Sequence, residues 1–282
     1  MEFQYILLKM KKILVLLFAF FALASCDYSN NPKKDSKNHK RKSFIPNIQY
    51  NLIKAHPHDI TSFTQGLVFY DDKLYESTGS PENLPFTNSL FGAVDLNTGK
   101  ITELARLDKN IYFGEGIAFL DGRLFQLTYL NQTCFVYDAN SFEKIGEFQY
   151  QNKEGWGLTT DGGFLIMSDG TNVLTYLNPD GYKVARKLNV TQNGYAVDYL
   201  NELEFIKGYI YANVWVKNYI VKIDTASGNV VGILNLTPFF EEAKNINPGI
   251  DVMNGIAYDS ISGNLFITGK MWPHIYELDF YH

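Results

Sequence analysis

One carboxylate of this chain stands between two glycines, in the stretch Phe113-Gly114-Glu115-Gly116. Glycine has no side chain and lets the backbone approach other groups closely, so a substrate could reach an acid held here. A carboxyl group in such a place can both give and take a proton. A solvated turn glutamate is the plainer interpretation of the motif by itself. The apolar run 117–120 that follows predicts a strand with Glu115 at its start.

The same layout, an unusual polar or aromatic residue before a short apolar strand, occurs five times in all, including the copy at Glu115. Each copy continues with a tight turn and a second apolar strand, and most have a third strand that ends in Asp or Asn. The first strands begin at Gly66, Gly116, Gly157, Leu203 and Gly255. Repeats of roughly 40–50 residues with about four short strands each are typical of propeller blades. The sequence therefore predicts an all-β, five-bladed β-propeller.

The last repeat ends at its third strand, over residues 276–280, and lacks a fourth. A spare strand over residues 48–53 precedes the first repeat. We expect this N-terminal strand to complete the last blade and close the ring, because closure removes exposed sheet edges. The segment 238–244 predicts a short helix or turn between blades four and five.

The innermost strand of each blade lines the central channel of a propeller, so the loops that enter these strands share one rim. Residues before the first strands and after the second strands should therefore meet in space. The first group is Phe63, Gln65, Phe113, Glu115, Trp156, Asn201 and Asn254, and the second is Tyr129, Trp215, Lys270 and Trp272. They predict an aromatic-walled cup with one carboxylate, one ammonium group and a few amides. Such a cup suits a small neutral or amine-bearing ligand.

The sequence contains no motif for the other common types of catalytic or metal site. No hydrolytic triad, HExxH, CxxC or phosphate-binding loop occurs, so the sequence predicts neither a metal nor another cofactor. His56 and His58 flank Pro57 at the entry to the first repeat, where surface or capping positions are favoured over metal ligands. Cys134 lies in a predicted strand and fits a small buried residue.

The first 43 residues differ in charge from the rest of the 282-residue chain. They carry nine Lys or Arg against three Asp or Glu, a charge of +6, and since the whole chain is −5, the remainder is −11. An acidic body argues against nucleic acid as the partner. Residues 27–43 are polar and lack large aliphatic side chains, which predicts a flexible tether. Residues 44–282 are then the propeller domain.

Residues 1–26 have the features of an export signal: lysines, an apolar run over 13–24, and the tetrapeptide LASC ending at Cys26. This end resembles the lipobox of bacterial lipoproteins, in which the cysteine is lipidated and becomes the mature N-terminus. An ordinary signal peptide with a chance cysteine is the alternative. We expect an exported protein on the periplasmic or cell-surface side of a membrane, held only by lipid at Cys26. A start at Met10 would also give a complete signal.

Several motifs, in order, resemble those of the plant- and bacterial-type glutaminyl-peptide cyclotransferases. That family converts an N-terminal glutamine to pyroglutamate with release of ammonia. The matching stretches are HDITSFTQGL (58–67), FGEG (113–116), EGWGLT (154–159), NELEF (201–205), YANVW (211–215), NGIAY (254–258) and TGKMWP (268–273). The likeness covers about residues 50–280. The family has a five-bladed propeller fold and is unrelated to the zinc-dependent animal cyclases.

The resemblance also implies roles for individual residues. Glu115 would be the proton shuttle, assisted by Lys270 and Asn201. The substrate pocket would be formed by Phe63, Gln65, Phe113, Tyr129, Trp156 and Trp215. Tyr129 departs from the tryptophan usual at this place in the family; it keeps a ring and adds a hydroxyl, so we expect altered substrate preference.

The implied enzyme is a metal-independent aminoacyltransferase that acts, as a monomer, on peptides or proteins with N-terminal glutamine. The alternative is a surface propeller that binds a ligand or a protein without catalysis, because a fold alone does not give a function. In a purely structural interpretation, Trp156 and Trp215 would only pack the blades together. The joint presence of Glu115, Asn201 and Lys270 in one aromatic cup would favour the enzyme.

Overall fold

The computed structural model describes residues 44–282, and these are almost entirely β-structure. The predicted domains 1–26 and 27–43, with Cys26, lie outside the described residues. Within residues 44–282, no helix has both the length and the apolar character needed to cross a membrane.

The chain forms five four-stranded antiparallel sheets, one for each predicted blade. The first strand is β1 (Tyr50–Pro57). Blade 1 consists of β2 (Thr64–Tyr70), β3 (Lys73–Thr78), β4 (Leu90–Val94) and β5 (Ile101–Arg106). Blade 2 consists of β6 (Gly114–Leu120), β7 (Arg123–Thr128), β8 (Thr133–Asp138) and β9 (Lys144–Gln149). Blade 3 consists of β10 (Leu158–Thr160), β11 (Leu165–Met167), β12 (Val173–Leu177) and β13 (Val184–Asn189).

A small hairpin separates blades 3 and 4, and a helix separates blades 4 and 5. The hairpin consists of β14 (Thr191–Gln192) and β15 (Tyr195–Ala196). Blade 4 consists of β16 (Leu200–Ile206), β17 (Tyr209–Val214), β18 (Tyr219–Asp224) and β19 (Val230–Asn235). The helix α1 (Thr237–Ile246) confirms the element predicted over 238–244. Blade 5 contains β20 (Met253–Tyr258), β21 (Leu265–Gly269) and β22 (His274–Phe280).

The N-terminal strand β1 is the outer strand of blade 5, where it pairs antiparallel with β22, beginning with Tyr50 opposite Phe280. The residues just before β1 reach blade 4, where Asn47 forms a parallel bridge with Ile233 of β19. The predicted closure of the ring by residues 48–53 is thus confirmed, with the strand shifted slightly toward the C-terminus. The first and last strands of the domain thus pair with each other, and each blade has four strands.

The first strand of each blade lies innermost and contacts the first strands of both neighbouring blades. Glycines allow this close approach. A Cβ on Gly116 would lie 2.4 Å from the backbone nitrogen of Leu158, and one on Gly157 would lie 2.1 Å from the backbone oxygen of Asn201. A larger residue at either place would push the blades apart. The inner strands therefore form a tight ring whose entry loops meet on one rim.

Apolar side chains fill the spaces between blades. In blade 2, strands β6 to β8 are almost fully buried, whereas the outer strand β9 alternates between exposed and half-buried residues. Burial on both faces is what a sheet between two other sheets requires. The turns after the third strands are held by side chains, as when Asp95 accepts hydrogen bonds from Asn97 N and Thr98 Oγ1.

Candidate active site

Four of the five inner strands carry a β-bulge at a residue that the sequence predicts for the site. The register to the second strand shifts at Gln65 in β2, Glu115 in β6, Asn201 in β16 and Asn254 in β20. A bulge interrupts regular pairing and re-aims a side chain, and bulges are common next to active sites. All four side chains are buried. Gln65, Glu115 and Asn201 line the cavity at this rim, and Asn254 lies behind Gln65.

A cavity of about 910 Å³ opens at this rim. Its volume is near the upper end of the ~300–1,000 Å³ typical of small-molecule sites. The structure brings together in it all nine of the predicted catalytic and substrate-binding residues: Phe63, Gln65, Phe113, Glu115, Tyr129, Trp156, Asn201, Trp215 and Lys270. They come from all five blades, so the site exists only in the closed ring.

Glu115 is the buried acid of this cavity, with 4% of its surface exposed. Gln65 Nε2 donates to Glu115 Oε1 at 3.3 Å, and Asn254 Nδ2 donates to Gln65 Oε1 at 3.2 Å. The backbone is fixed as well, because Ser77 Oγ donates to the carbonyl oxygen of Glu115 at 2.6 Å. The carboxyl group is therefore held in one place by its own strand and by blades 1 and 5.

Lys270 follows β21 and supplies the cation of the site. Its Nζ lies 4.5 Å from the centroid of the Phe63 ring, a cation–π contact, and the residue is buried. Burial lowers the pKa of Lys270, and the charges of Glu115 and Asp251 oppose this change. The ammonium group therefore gives up its proton more readily than an exposed lysine does.

Burial raises the pKa of Glu115 well above its ordinary value of 4.5. The charge of Lys270 lowers it in part, and the charge of Glu154 raises it further. Desolvation is the dominant cause, because the ionised carboxylate loses its water in the closed cavity. Glu115 and Lys270 are thus an acid and a base whose pKa values move toward each other. Such a pair can both give and accept protons.

Aromatic rings line the cavity in two runs. In the first run, Phe63 meets Phe113 edge-on with ring centroids 6.1 Å apart, and Phe113 meets Tyr129 at 6.0 Å. The second run has neighbouring centroids 6.0 and 5.7 Å apart and consists of Trp156, Trp215 and Tyr199. Three of these four contacts are edge-to-face and the contact between Trp215 and Tyr199 is tilted, and aromatic pairs prefer such geometries. The wall is therefore largely apolar.

Comparison with known proteins identifies the family of this chain. The sequence profile of the glutamine cyclotransferase family matches residues 20–280. A glutaminyl-peptide cyclotransferase of Arabidopsis thaliana is 43% identical over 229 residues, which are 80% of this chain and 70% of the plant protein. The chain belongs to the glutamine cyclotransferase family. The crystal structure of Myxococcus xanthus glutaminyl cyclase matches with a TM-score of 0.76 and 34% identity, over 84% of this chain and 98% of the bacterial one.

Two residues that the sequence predicts for the rim do not line the cavity in the structure. Asn254 is buried behind Gln65 and reaches the cavity only through that side chain. The prediction that Trp272 lines the cup is wrong: its indole is fully buried and donates to the carbonyl oxygen of Asp251 at 3.1 Å. The turn after β21 folds this indole back over Gly269, where a Cβ would lie 2.2 Å from Nε1.

The prediction of a cup with one carboxylate and one ammonium group is also wrong. Lys109 lines the cavity as well as Lys270. Besides Glu115, the cavity is lined by Glu82, Glu154, Asp169 and Asp251. Glu154 and Asp251 precede the inner strands of blades 3 and 5, only two and three positions before the predicted Trp156 and Asn254. The rim argument would have found them if the window before each strand had been extended by that much.

The predicted surface or capping positions of His56 and His58 are wrong, because both side chains are buried. His58 Nε2 lies 3.1 Å from both carboxylate oxygens of Glu76, and His56 Nε2 lies 2.8 Å from Glu277 Oε2. Both pairs join β1 or its following turn to a neighbouring strand. The prediction that Cys134 is buried is confirmed. Over residues 44–282 no group of three or more His, Cys, Asp or Glu could hold a metal ion.

Proposed function

We propose that this protein is a glutaminyl-peptide cyclotransferase that converts the N-terminal glutamine of peptides or proteins to pyroglutamate and ammonia. The observation that carries the proposal is a buried acid, Glu115, facing a buried lysine in an aromatic cavity. Membership of the glutamine cyclotransferase family supports the same activity. A propeller that only binds a ligand would need the aromatic rings but not the buried Glu115–Lys270 pair.

The reaction closes a ring within one residue of the substrate. The α-amino nitrogen attacks the side-chain amide carbon, forming a C–N bond, and the bond from that carbon to the amide nitrogen then breaks. Since both reacting groups belong to the same residue, the cavity mainly has to hold the glutamine curled. Orientation of this kind can lower a barrier by ~7–11 kcal/mol. The aromatic walls of Trp156, Trp215 and Phe113 suit this task.

Glu115 then serves as the proton shuttle. Its carboxylate takes the proton that the attacking amine loses and gives it to the departing nitrogen, which leaves as ammonia. No proton is gained or lost by the enzyme over the cycle. The raised pKa of Glu115 suits both halves of this task, because it makes the carboxylate a stronger base and lets its acid form persist to higher pH. General acid–base catalysis of this type contributes roughly 10²–10⁴-fold.

Lys270 and Asn201 assist the shuttle as the remaining catalytic groups. An oxyanion develops on the amide oxygen during the attack, and donors aimed at it stabilise the transition state. The buried ammonium group of Lys270 and the amides of Asn201 and Gln65 border the same cavity. Asn201 is 4% exposed, and its Oδ1 has no hydrogen-bond partner among the described residues. We assign this oxygen to accept a hydrogen bond from an N–H of the substrate, while the Nδ2 of the same amide is the group that can donate to the oxyanion.

The proposed substrate preference follows from the apolar walls and the acidic lining. A γ-amide is neutral, whereas a γ-carboxylate would have to lose its water among aromatic rings and beside several acids. Peptides that begin with glutamine should therefore react much faster than the same peptides beginning with glutamate. Comparison of kcat/KM for the two peptides at neutral pH checks this, and equal rates would contradict it.

The proposal extends to the chemistry and cellular place of the protein. We propose an aminoacyltransferase that works without metal or other cofactor, as a monomer, and that is exported and held at a membrane by lipid on Cys26. The signal-like residues 1–26, which end at Cys26, support this location. Cys26→Ser should release the protein from the membrane fraction of cells; a variant that stays membrane-bound would contradict the anchor.

The experiment that tests the function is ammonia release from a short peptide with N-terminal glutamine, followed together with the loss of its free amine. The full chain is assayed with a metal chelator present. We expect turnover of glutaminyl peptides at an unchanged rate in chelator. A protein that binds such peptides without converting any of them would overturn the enzyme and leave the binding propeller, whereas activity lost only in chelator would overturn metal independence.

A further inference from the structure

The two aromatic runs of the cavity meet at one acidic side chain. Glu154 Oε2 accepts a hydrogen bond from the indole Nε1 of Trp156 at 2.8 Å, at the start of the second run. Tyr129, at the end of the first run, lines the same cavity. Burial and then the charge of Glu154 raise the pKa of Tyr129. One carboxylate thus holds the edge of an indole and acts on a nearby phenol.

The loop that carries Glu154 is fixed rather than free. Gly155 N donates to the carbonyl oxygen of Tyr129 at 2.9 Å, and Trp156 N donates to the carbonyl oxygen of Ser168 at 3.1 Å. The carbonyl oxygen of Trp156 in turn accepts from Gly116 N at 2.8 Å, next to Glu115. The backbone on the C-terminal side of Glu154 is therefore tied to blades 2 and 3. Its side chain is half-buried and faces the cavity.

Trp156 depends on this support because its other contacts are apolar. Its ring packs against Trp215 and over the backbone of Gly170, where a Cβ would lie 2.7 Å from the indole. Apolar contacts hold a ring in its plane but tolerate sliding, whereas the hydrogen bond to Glu154 fixes the position of Nε1. Among residues 44–282, Glu154 forms no salt bridge. Its charge is therefore directed at the cavity.

We infer that Glu154 is a positioning residue for the cyclisation: it clamps the indole of Trp156 in place and so sets the shape of the wall against which the glutamine curls. This inference rests on the proposed function. A wall displaced by about 1 Å can cost ~10²-fold in rate even when the reacting groups are intact. The clamp acts through the indole and not by contact with the reacting atoms.

Glu154 also acts on the acid at the centre of the site. Its charge raises the pKa of Glu115, in addition to the larger effect of burial. Removal of that charge should lower the pKa of Glu115. Since the carboxylate form of Glu115 accepts the proton of the attacking amine, the acidic limb of the pH profile should then move to lower pH. A side chain with only a structural role would change the rate without moving this limb.

The test compares Glu154→Gln with Glu154→Ala in the full chain. The amide oxygen of glutamine can still accept from the indole but carries no charge, whereas alanine removes both features. We expect Glu154→Gln to retain most of its kcat/KM at the optimum and to show an acidic limb at lower pH than the parent. Glu154→Ala should lose about 10²-fold in kcat/KM. A Gln variant with an unmoved limb, or an Ala variant within threefold of the parent, would overturn the inference.

A second measurement keeps the inference falsifiable without turnover. The chain has three tryptophans, so a 15N-labelled sample gives three indole N–H signals, and Trp156→Phe identifies the one of interest. That signal should shift in Glu154→Ala, which removes the acceptor of its hydrogen bond. Glu82→Gln, which removes a cavity carboxylate without a described contact to the indole, should leave it unmoved. A parent that fails to turn over glutamine would contradict the proposed function alone; an indole signal indifferent to Glu154 would contradict the clamp alone.

Discussion

Glu115 on β6 and Glu204 on β16 are both buried carboxyl groups on inner strands, and burial raises the pKa of both. Their surroundings differ. Glu115 opens on the cavity and faces Lys270, whereas Glu204 does not line the cavity and accepts hydrogen bonds from Tyr258 N at 3.0 Å and Thr159 Oγ1 at 3.5 Å. Burial raises the pKa of Glu204 to about 8.

The comparison teaches that a raised pKa does not by itself mark a catalytic acid. Glu202, beside Glu204, has a raised pKa as well, caused by burial and by the charge of Glu204. The propeller buries these acids where no substrate can reach them. What distinguishes Glu115 is access to the cavity together with a nearby cation, and three variants test that distinction.

The largest expected effect is that of Glu115→Gln. The amide keeps the size of the side chain but can no longer accept and return a proton. We expect kcat to fall by about 10²–10⁴-fold on glutaminyl peptides, with KM nearly unchanged. Steady-state kinetics measures the loss, and a thermal melt confirms that the variant is folded. A fall of less than tenfold in a folded variant would remove Glu115 from the role of shuttle.

Lys270→Met should have the next largest effect. The methionine can still pack on Phe63, but the charge is lost, so we expect kcat/KM to drop by about 10²-fold, as for removal of an oxyanion donor. Because the charge of Lys270 lowers the pKa of Glu115, its removal should move the acidic limb of the pH profile upward. This shift is opposite to that expected for Glu154→Gln. Lys109→Met, at the exposed edge of the same cavity, is the matched control; an equal shift in both would refute a specific pairing.

The smallest effect on catalysis is expected for Glu204→Gln, which should keep kcat/KM within threefold of the parent. Its effect is on stability. The folded protein favours the protonated form of Glu204, so this group stabilises the fold fully below pH 4.5, and the stabilisation is lost as the pH rises toward about 8.

Chemical denaturation across this range measures the difference between the parent and Glu204→Gln. The two should have similar unfolding free energies at pH 4, and the variant should be more stable by up to about 4 kcal/mol at pH 9. Parallel curves for the two proteins would show that Glu204 does not titrate with a raised pKa. A loss of activity matching that of Glu115→Gln would erase the contrast between the two acids.

The parts of this molecule that could be predicted from sequence are those set by a local pattern. The five repeats predicted the blades, the spare N-terminal strand predicted the closure, and the rim rule collected the nine residues from Phe63 to Lys270 that line the cavity. Each depends on strand periodicity and on where a residue stands relative to its strand. None of the three requires knowledge of a contact with a residue far away in the sequence.

The parts that could not be predicted depend on such partners or on the course of a single turn. His56 and His58 are buried because Glu277 and Glu76, 221 and 18 residues away, pair with them. Trp272 leaves the cup because the turn containing Met271, with φ +60°, folds its indole over the preceding backbone. Neither fact is encoded in the repeat pattern.

The pairing of β1 with β22 also sets when the site can exist. Strand β1 is synthesised before every other strand of the domain, and its partner is synthesised last. Phe63 and Gln65 follow β1 closely in the sequence, whereas Lys270 shortly precedes β22. The cavity residues Glu115, Gln65 and Asn201 are therefore synthesised before Lys270. Contacts between such distant parts of a chain form slowly during folding. A chain that ended before β22 would leave an unpaired sheet edge beside an incomplete cavity. Closure of the ring is therefore the folding step that completes the site.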